Sequence, residues 1–165
     1  MSYKSYIKEV LDFPKDGVNF KDLSPLLADQ ETFRSALVEM GRQVRIPDYW
    51  IGIDARGFLF ASGLATYFGG GIVMCRKKGK LPPPTIDEIY DTEYSRDFLS
   101  IKEGKGEVVI VDDVLATGGT LMATNRLAKK AGYDVVGNLV LVDLKYVPRV
   151  DNFNLNVRSV IKYED

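Results

Sequence analysis

Two adjacent carboxylates followed by a glycine-rich, hydroxyl-bearing turn carry the most chemistry in this chain: Val108-Val109-Ile110-Val111-Asp112-Asp113-Val114-Leu115-Ala116-Thr117-Gly118-Gly119-Thr120. The β-branched apolar run reads as a buried strand and the turn as a binding loop. Leu121, Thr124, Leu127, Ala128 and Ala131 then recur at helical spacing, with Gly132 where a helix C-terminus favours positive φ. Strand, loop and helix in that order point backbone N–H groups at an anion. Gly118 and Gly119 let the backbone approach a phosphate, Thr117 and Thr120 offer hydroxyls, and a helix N-terminus adds roughly 0.3–1 kcal/mol per exposed charge. Asp112 and Asp113 cannot hold that phosphate, because acceptor-only carboxylates repel it. They call for donors or a cation, which sugar hydroxyls or a hydrated Mg²⁺ would supply. A phosphate beside a diol suggests a ribose 5-phosphate.

Other readings compete. No Lys follows the glycines as in a Walker loop, and the spaced glycines of a dinucleotide fingerprint are missing. An ordinary βα turn, with Asp113 merely starting the loop, stays open on these residues alone.

Composition narrows the chemistry further. The 165 residues fit one domain, residues 1–165, of ordinary soluble composition. A formal net charge of −1 gives no global field for nucleic acid, and no apolar run reaches membrane-spanning length. Met1-Ser2-Tyr3-Lys4 does not read as a signal peptide, so a cytoplasmic protein is expected. Cys75, the only cysteine, sits after Ile72, Val73 and Met74 and reads as a buried strand position. With no histidine, Ser/His and Cys/His catalysis are excluded, and acid–base work falls to carboxylates, Lys, Tyr or the substrate.

These residues need a scaffold. Tyr3, Tyr6, Ile7, Val10 and Leu11 have the spacing of an amphipathic helix, which Phe13-Pro14-Lys15-Asp16-Gly17 breaks. Val18-Asn19-Phe20-Lys21-Asp22 reads as extended, and Ser24-Pro25 as a cap followed by a first-turn proline. Phe33, Ala36, Leu37, Met40 and Val44 predict a second helix, capped by Asp29 or Thr32. Tyr49-Trp50-Ile51-Gly52-Ile53 is a strand ending in Asp54-Ala55-Arg56-Gly57, and Phe58, Ala61, Leu64, Ala65 and Phe68 follow as a helix. Residues 72–75 form a strand running into the basic knot Arg76-Lys77-Lys78-Gly79-Lys80 and then Leu81-Pro82-Pro83-Pro84. Residues 77–105 have few core-like runs and read as a functional loop or lid, in which Ile89-Tyr90-Asp91-Thr92-Glu93-Tyr94 could pair as a strand. Residues 135–142 and 157–161 complete the strands. Strands alternating with helices predict an α/β fold, a central mainly parallel sheet with helices on both faces. The polar segments after strands, including Asp143-Leu144, should converge at the strands' carboxyl ends.

The strand and loop 108–120 closely resemble the 5-phosphoribosyl-1-pyrophosphate (PRPP) signature of the type I phosphoribosyltransferases. Taken with Phe13-Pro14, Gly17-Val18-Asn19-Phe20-Lys21-Asp22, Ser24-Pro25, Asp54-Ala55-Arg56-Gly57-Phe58-Leu59-Phe60, Arg76-Lys77-Lys78-Gly79-Lys80-Leu81-Pro82 and Glu93-Tyr94, the chain resembles the adenine phosphoribosyltransferases from near its start to Tyr163-Glu164. The resemblance implies the type I phosphoribosyltransferase fold with a small N-terminal hood and a flexible lid loop. It implies transfer from PRPP to adenine with Mg²⁺, giving AMP and pyrophosphate, in a homodimer. Carried over, Ala116, Thr117, Gly118, Gly119 and Thr120 would hold the 5-phosphate, and Asp112 and Asp113 the ribose hydroxyls. Arg56, Lys77 and Lys80 would face the pyrophosphate, Tyr94 would reach the phosphates, and Arg76 would be lent to the partner's site. Phe20 would stack on the purine with Leu144 opposite, the backbone at Asn19 and Lys21 would read adenine's edge, and Glu93 would be the acid–base carboxylate. The metal would be held through PRPP, with at most a water-mediated contact to Asp112 or Asp113. Exposed aromatics, Phe58, Phe60 and Phe68, are expected to form the dimer contact. Lys21 stands where the family often has Arg, and Asn19 where it often has an aliphatic residue. Transfer to another base such as hypoxanthine or guanine, or a non-catalytic PRPP sensor, are the alternatives.

Overall fold

The computed structural model describes residues 2–91 and 95–165. After a single 3-10 turn, Tyr3–Tyr6, the chain forms β1 (Lys8–Leu11) and β2 (Asn19–Asp22), an antiparallel pair in the register Lys8↔Asp22, Val10↔Phe20. The helix expected from Tyr3, Tyr6, Ile7, Val10 and Leu11 is therefore not formed. So short a helix is marginal by itself, and residues 19–22 offer the segment a ladder instead. Only Ile7 of the supposed apolar face is buried, and Leu11 is exposed.

Helix α1 (Ser24–Ala28) has Leu23 at its N-cap, and the Asp22 carboxylate just before it accepts from Ser24 N at 2.9 Å and Ser24 Oγ at 2.6 Å. Ser24 is thus the first residue of the helix and not its cap. Asp29 caps α2 (Gln30–Gly41), accepting from Thr32 N and Thr32 Oγ1. Then come β3 (Tyr49–Ile53), α3 (Gly57–Phe68), β4 (Gly71–Lys77), β5 (Ile86–Asp91), β6 (Arg96–Ile101), β7 (Gly106–Leu115), α4 (Gly119–Lys130), β8 (Tyr133–Leu144) and β9 (Arg158–Tyr163).

The main sheet has the order β5-β6-β4-β3-β7-β8-β9. Strands β4, β3, β7, β8 and β9 are mutually parallel, and β5 and β6 add an antiparallel edge. Period-two alternation divides the core between the two faces. Trp50, Val109, Val111, Leu139 and Leu141 pack with Leu37 and Met40 of α2 and Phe60 and Leu64 of α3. Ile51, Val108, Ile110 and Val140 pack with Leu121, Leu127 and Ala128 of α4. The apolar runs are continuous because both faces are covered.

Two details bear on the site. A Cβ on Gly57 would lie 2.8 Å from the Val111 carbonyl, so only glycine lets the start of α3 sit directly on β7. Residues 77–105 are more structured than their charge implied. Leu99 and Ile101 are buried, and Glu88 pairs with Arg126 and Lys130 of α4, each at 2.9 Å, which anchors the hairpin. The proposed lid residues Glu93 and Tyr94 lie outside the described residues.

The expected aromatic surface is also absent. Phe60 is fully buried against Phe33, while Phe58 and Phe68 are half-buried. The large apolar side chains that remain exposed here are Leu59 and Tyr67 on α3 and Ile72 and Met74 on β4. Among the described residues no helix is long and apolar enough to cross a membrane.

Candidate active site

The cleft begins where two neighbouring strands separate. Pairing of β3 with β7 ends at Gly52↔Val111, whereas β7 and β8 stay paired to Leu115↔Asp143. Asp112 and Asp113 therefore stand on a strand with one edge open, and the turn between β3 and α3 brings Arg56 across it. The peptide between Asp54 and Ala55 is cis.

Two cavities meet at Asp112. One, of about 110 Å³, is lined by Asp112, Val114, Ala116, Thr117, Gly118 and Thr120 among others. The second, of about 420 Å³, is lined by residues including Asp54, Arg56, Lys77, Tyr90, Asp112, Asp113 and Thr120. Their shared walls, Asp112, Val114 and Thr120, make one continuous cleft of an anion-sized end and a wider, mixed-charge end.

The loop owes its shape to Gly118, the residue preceding α4, at φ 87° and ψ 0°. A Cβ there would lie 2.5 Å from the Phe153 ring, so backbone angle and packing both demand glycine. Gly119 is different, since a Cβ would meet nothing nearer than Val150 at 3.6 Å. Val150 N donates to the Thr117 carbonyl at 2.8 Å, fixing the loop from behind, and the Tyr90 and Thr120 hydroxyls lie 3.0 Å apart.

The carboxylates differ in surroundings. Asp112 Oδ1 accepts from Asp113 N, and Asp113 Oδ1 accepts from Val114 N, both at 2.8 Å. Burial, reinforced by the adjoining Asp113 charge, raises the Asp112 pKa well above the usual carboxylate range, against the opposing pull of Arg56. Asp113 Oδ2 lies 2.6 Å from Arg56 Nε, close enough for an ion pair but out of line for a hydrogen bond. Among the described residues no cluster of three or more carboxylate, cysteine or histidine ligands forms. A divalent cation would thus take one or two protein oxygens here and the rest from ligand and water, which Asp112 and Asp113 fit.

Arg56 is shared, its guanidinium standing 5.4 Å from the Phe20 ring centroid as well as beside Asp113. Phe20 of β2 is thereby joined to the cleft. Lys21 Nζ is buried on Glu9 at 2.8 Å and lies 4.1 Å from the Tyr163 ring, tying β2 to β9. Asn19 Nδ2 donates to Glu9 at 3.2 Å. Leu144, at the end of β8, is buried in the core layer against which Val114 and Ala116 pack.

The basic knot is divided. Lys77 lines the wider cavity, whereas Arg76 Nε pairs with Asp54 at 3.4 Å and its Nη1 donates to the Lys80 carbonyl at 3.3 Å. Arg76 and Lys80 line neither cavity. Two neighbours of the loop carried no signal as site residues in the sequence. Tyr90 belongs to a hairpin hidden by its charges. Arg149 sits in an irregular segment without a motif, yet its Nη1 donates to the carbonyls of Ala116, Leu144 (3.0 Å) and Val147 (3.4 Å), and its Nη2 to Asp143.

Comparison with known proteins places this geometry in a family. Residues 42–154 match the model described as the phosphoribosyl transferase domain. An adenine phosphoribosyltransferase of Rhodospirillum rubrum is 42% identical over 170 residues, covering 99% of each chain. The crystal structure of adenine phosphoribosyltransferase from Thermoanaerobacter pseudethanolicus superposes with a TM-score of 0.88 at 38% identity, covering 98% of both chains. The enzyme of Saccharomyces cerevisiae, solved with an imino-altritol bisphosphate and adenine, gives 0.83 at 30% identity over 95% of each. With a relative this similar along its whole length and the cleft built as described, the chain belongs to the adenine phosphoribosyltransferases of the phosphoribosyl transferase family.

Proposed function

We propose that this protein transfers the 5-phosphoribosyl group of PRPP to adenine, forming AMP and pyrophosphate in purine salvage. The observation that carries the reading is the continuous cleft in which a glycine-shaped loop at a helix N-terminus adjoins paired carboxylates and Arg56 beside Phe20. The yeast relative's complex with adenine and a sugar-like bisphosphate supports that pairing of ligands.

In this reading Ala116, Thr117, Gly118, Gly119 and Thr120 bind the 5-phosphate, and Asp112 and Asp113 accept from the ribose hydroxyls. Arg56, Lys77 and Lys80 hold the pyrophosphate as negative charge gathers on it, and Tyr94 reaches the phosphates. Phe20 stacks on the base, an interaction worth about 1–3 kcal/mol but tolerant of base identity, and Leu144 packs opposite. Adenine is chosen by the backbone at Asn19 and Lys21, because a 6-amino donor and a 6-oxo acceptor require opposite partners. The buried Lys21 side chain presents that backbone by anchoring β2 to Glu9 and Tyr163. Glu93 manages the proton on the purine's imidazole ring. Asp112 or Asp113 would hold a Mg²⁺ arriving with PRPP, through water, and the ion would supply Lewis-acid charge for the leaving pyrophosphate.

The protein is proposed to act as a homodimer in the cytoplasm. Exposed Ile72 and Met74 share one face of β4 with Arg76, at alternate positions, and offer a second copy an apolar pair beside a cation. Met74→Glu should give a monomer in sedimentation, with activity reduced; a dimer unaffected by the change would place the contact elsewhere.

Incubation with PRPP, Mg²⁺ and each base in turn tests the main reading, AMP and pyrophosphate being expected with adenine. Another nucleotide in place of AMP would correct the base, and tight PRPP binding without turnover would favour a sensor. Asp113→Asn removes a charged acceptor from the diol, about 1.5–3 kcal/mol or roughly 10–100-fold in PRPP affinity. Gly119→Val should weaken PRPP at least as much by filling phosphate space, with little change in Tm because a Cβ there makes only ordinary van der Waals contacts. Unchanged affinity in both would make the loop a plain turn.

The raised Asp112 pKa gives a second measurement. In the unfolded chain the group titrates near its ordinary value, about 3.9, so between there and its raised folded value the native state binds more protons. Its contribution to stability is fully present below the unfolded value and is lost as pH rises through the folded one. Wild-type Tm should therefore fall relative to Asp112→Asn as pH rises from about 4 towards neutrality. Parallel Tm profiles for the two proteins would contradict the shift.

Glu93→Gln should lower kcat by about 10²–10⁴-fold while changing PRPP affinity much less, since its contact is realised as the C–N bond forms. Near-wild-type kcat across the pH range would leave catalysis to positioning by Arg56, the lysines and the metal.

A further inference from the structure

We propose that Arg149 is a positioning residue that couples the phosphate end of the cleft to its base end. The β7–β8 ladder stops at Leu115↔Asp143, and beyond it the two chains part, one into the phosphate loop and the other towards Leu144 and the segment before β9. Carbonyls past the end of a ladder need donors from elsewhere. Arg149 Nη1 supplies one nitrogen to both sides, donating to the Ala116 carbonyl in the loop and the Leu144 carbonyl at 3.0 Å. A shift of either carbonyl therefore disturbs the bond to the other.

The guanidinium is itself fixed. Its Nη2 donates to Asp143, a buried carboxylate that Lys145 Nζ also meets at 2.9 Å. Phe153 lies under it, 5.7 Å from ring centroid to guanidinium carbon, and the same ring occupies the space a Cβ on Gly118 would need. Arg149, Val150 and Phe153 thus brace Ala116, Thr117 and Gly118 in turn. A planar fork can span several acceptors at once, which a lysine ammonium, a single point charge, cannot reproduce.

This inference rests on the proposed reading that the loop takes the 5-phosphate and Leu144 packs on the base. It adds that the two ends are linked thermodynamically through a residue touching neither ligand. Binding of ribose 5-phosphate at the loop should then tighten binding of adenine, and by linkage the reverse, by about 5-fold or more.

The test uses the full-length protein as wild type, Arg149→Lys and Arg149→Met. Affinities for ribose 5-phosphate alone, for adenine alone and for each in the presence of the other are measured by calorimetry, with Tm, kcat and KM for PRPP. Coupling is expected in the wild type and should fall towards 1-fold in both variants, with KM for PRPP raised about tenfold and kcat lowered less. Arg149→Lys keeps the charge facing Asp143 and should hold Tm near wild type, separating loss of coupling from loss of fold. AMP formation by a wild type without coupling, or coupling and KM unchanged in both variants, overturns the role of Arg149 while leaving the reaction intact. A wild type that forms no AMP from adenine and PRPP overturns the functional reading, and this inference with it.

Discussion

A strand buried on both faces has nowhere to put a charge except at its end. β7 is such a strand: residues 108–111 are fully buried between α4 on one side and α2 and α3 on the other. An ionised carboxylate among them would lose its hydration without compensation. Asp112 and Asp113 become tolerable one step beyond the last pairing with β3, where the edge opens and Arg56 can reach in. The cleft is thus a consequence of unequal strand lengths, the ladder to β8 continuing while the ladder to β3 has stopped. Its depth is set by Gly57, which lets α3 rest against the carbonyl of Val111.

The remaining walls are held by charges that are mutually satisfied at a distance from the cleft. Glu88 on the hairpin takes Arg126 and Lys130 from α4, and Lys130 also donates to the Asp87 carbonyl at 2.9 Å. Those contacts accompany the placing of Tyr90 over Thr120. Asp143 is buried at the end of β8 with Arg149 and Lys145 on its two oxygens. A charge so placed is tolerated only while paired, which makes the local geometry intolerant of losing either partner.

Much of this was legible because local and tertiary preferences agree. The run from Val108 to Thr120 has the apolar length, the terminal carboxylates and the glycines that its structure requires, so no remote contact had to be known. The strands at Tyr49 and Val135 were legible for the same reason. The N-terminal segment was misread because Tyr3, Tyr6, Ile7, Val10 and Leu11 satisfy a helical period by spacing alone, while the deciding contact, pairing with residues 19–22, lies outside the segment. The β5–β6 hairpin was obscured because its outward charges are committed to α4 and the apolar residues of β5 are at most partly buried. Arg149 has no local signal at all. Its partners Ala116 and Leu144 are carbonyls, which every residue carries, so only the folded chain identifies it.

The alternation of β4 ends in two neighbouring cations with different addresses. Lys77 follows the parity of Cys75 and lines the cleft, while Arg76 follows Ile72 and Met74 on the opposite face. Their separation depends on parity, not on distance along the chain, and parity is what a one-residue insertion or deletion destroys. A one-residue indel between Met74 and Cys75 would, with Ile72 and Met74 kept in register, turn Cys75 out of the core and exchange the faces of both cations together. Point substitution can alter one of these positions at a time, but the spacing of the strand can change only in steps of two. By contrast, residues 102–105, outside any strand, are bound by no such arithmetic. Length variation is therefore quantised in one part of the chain and continuous in another.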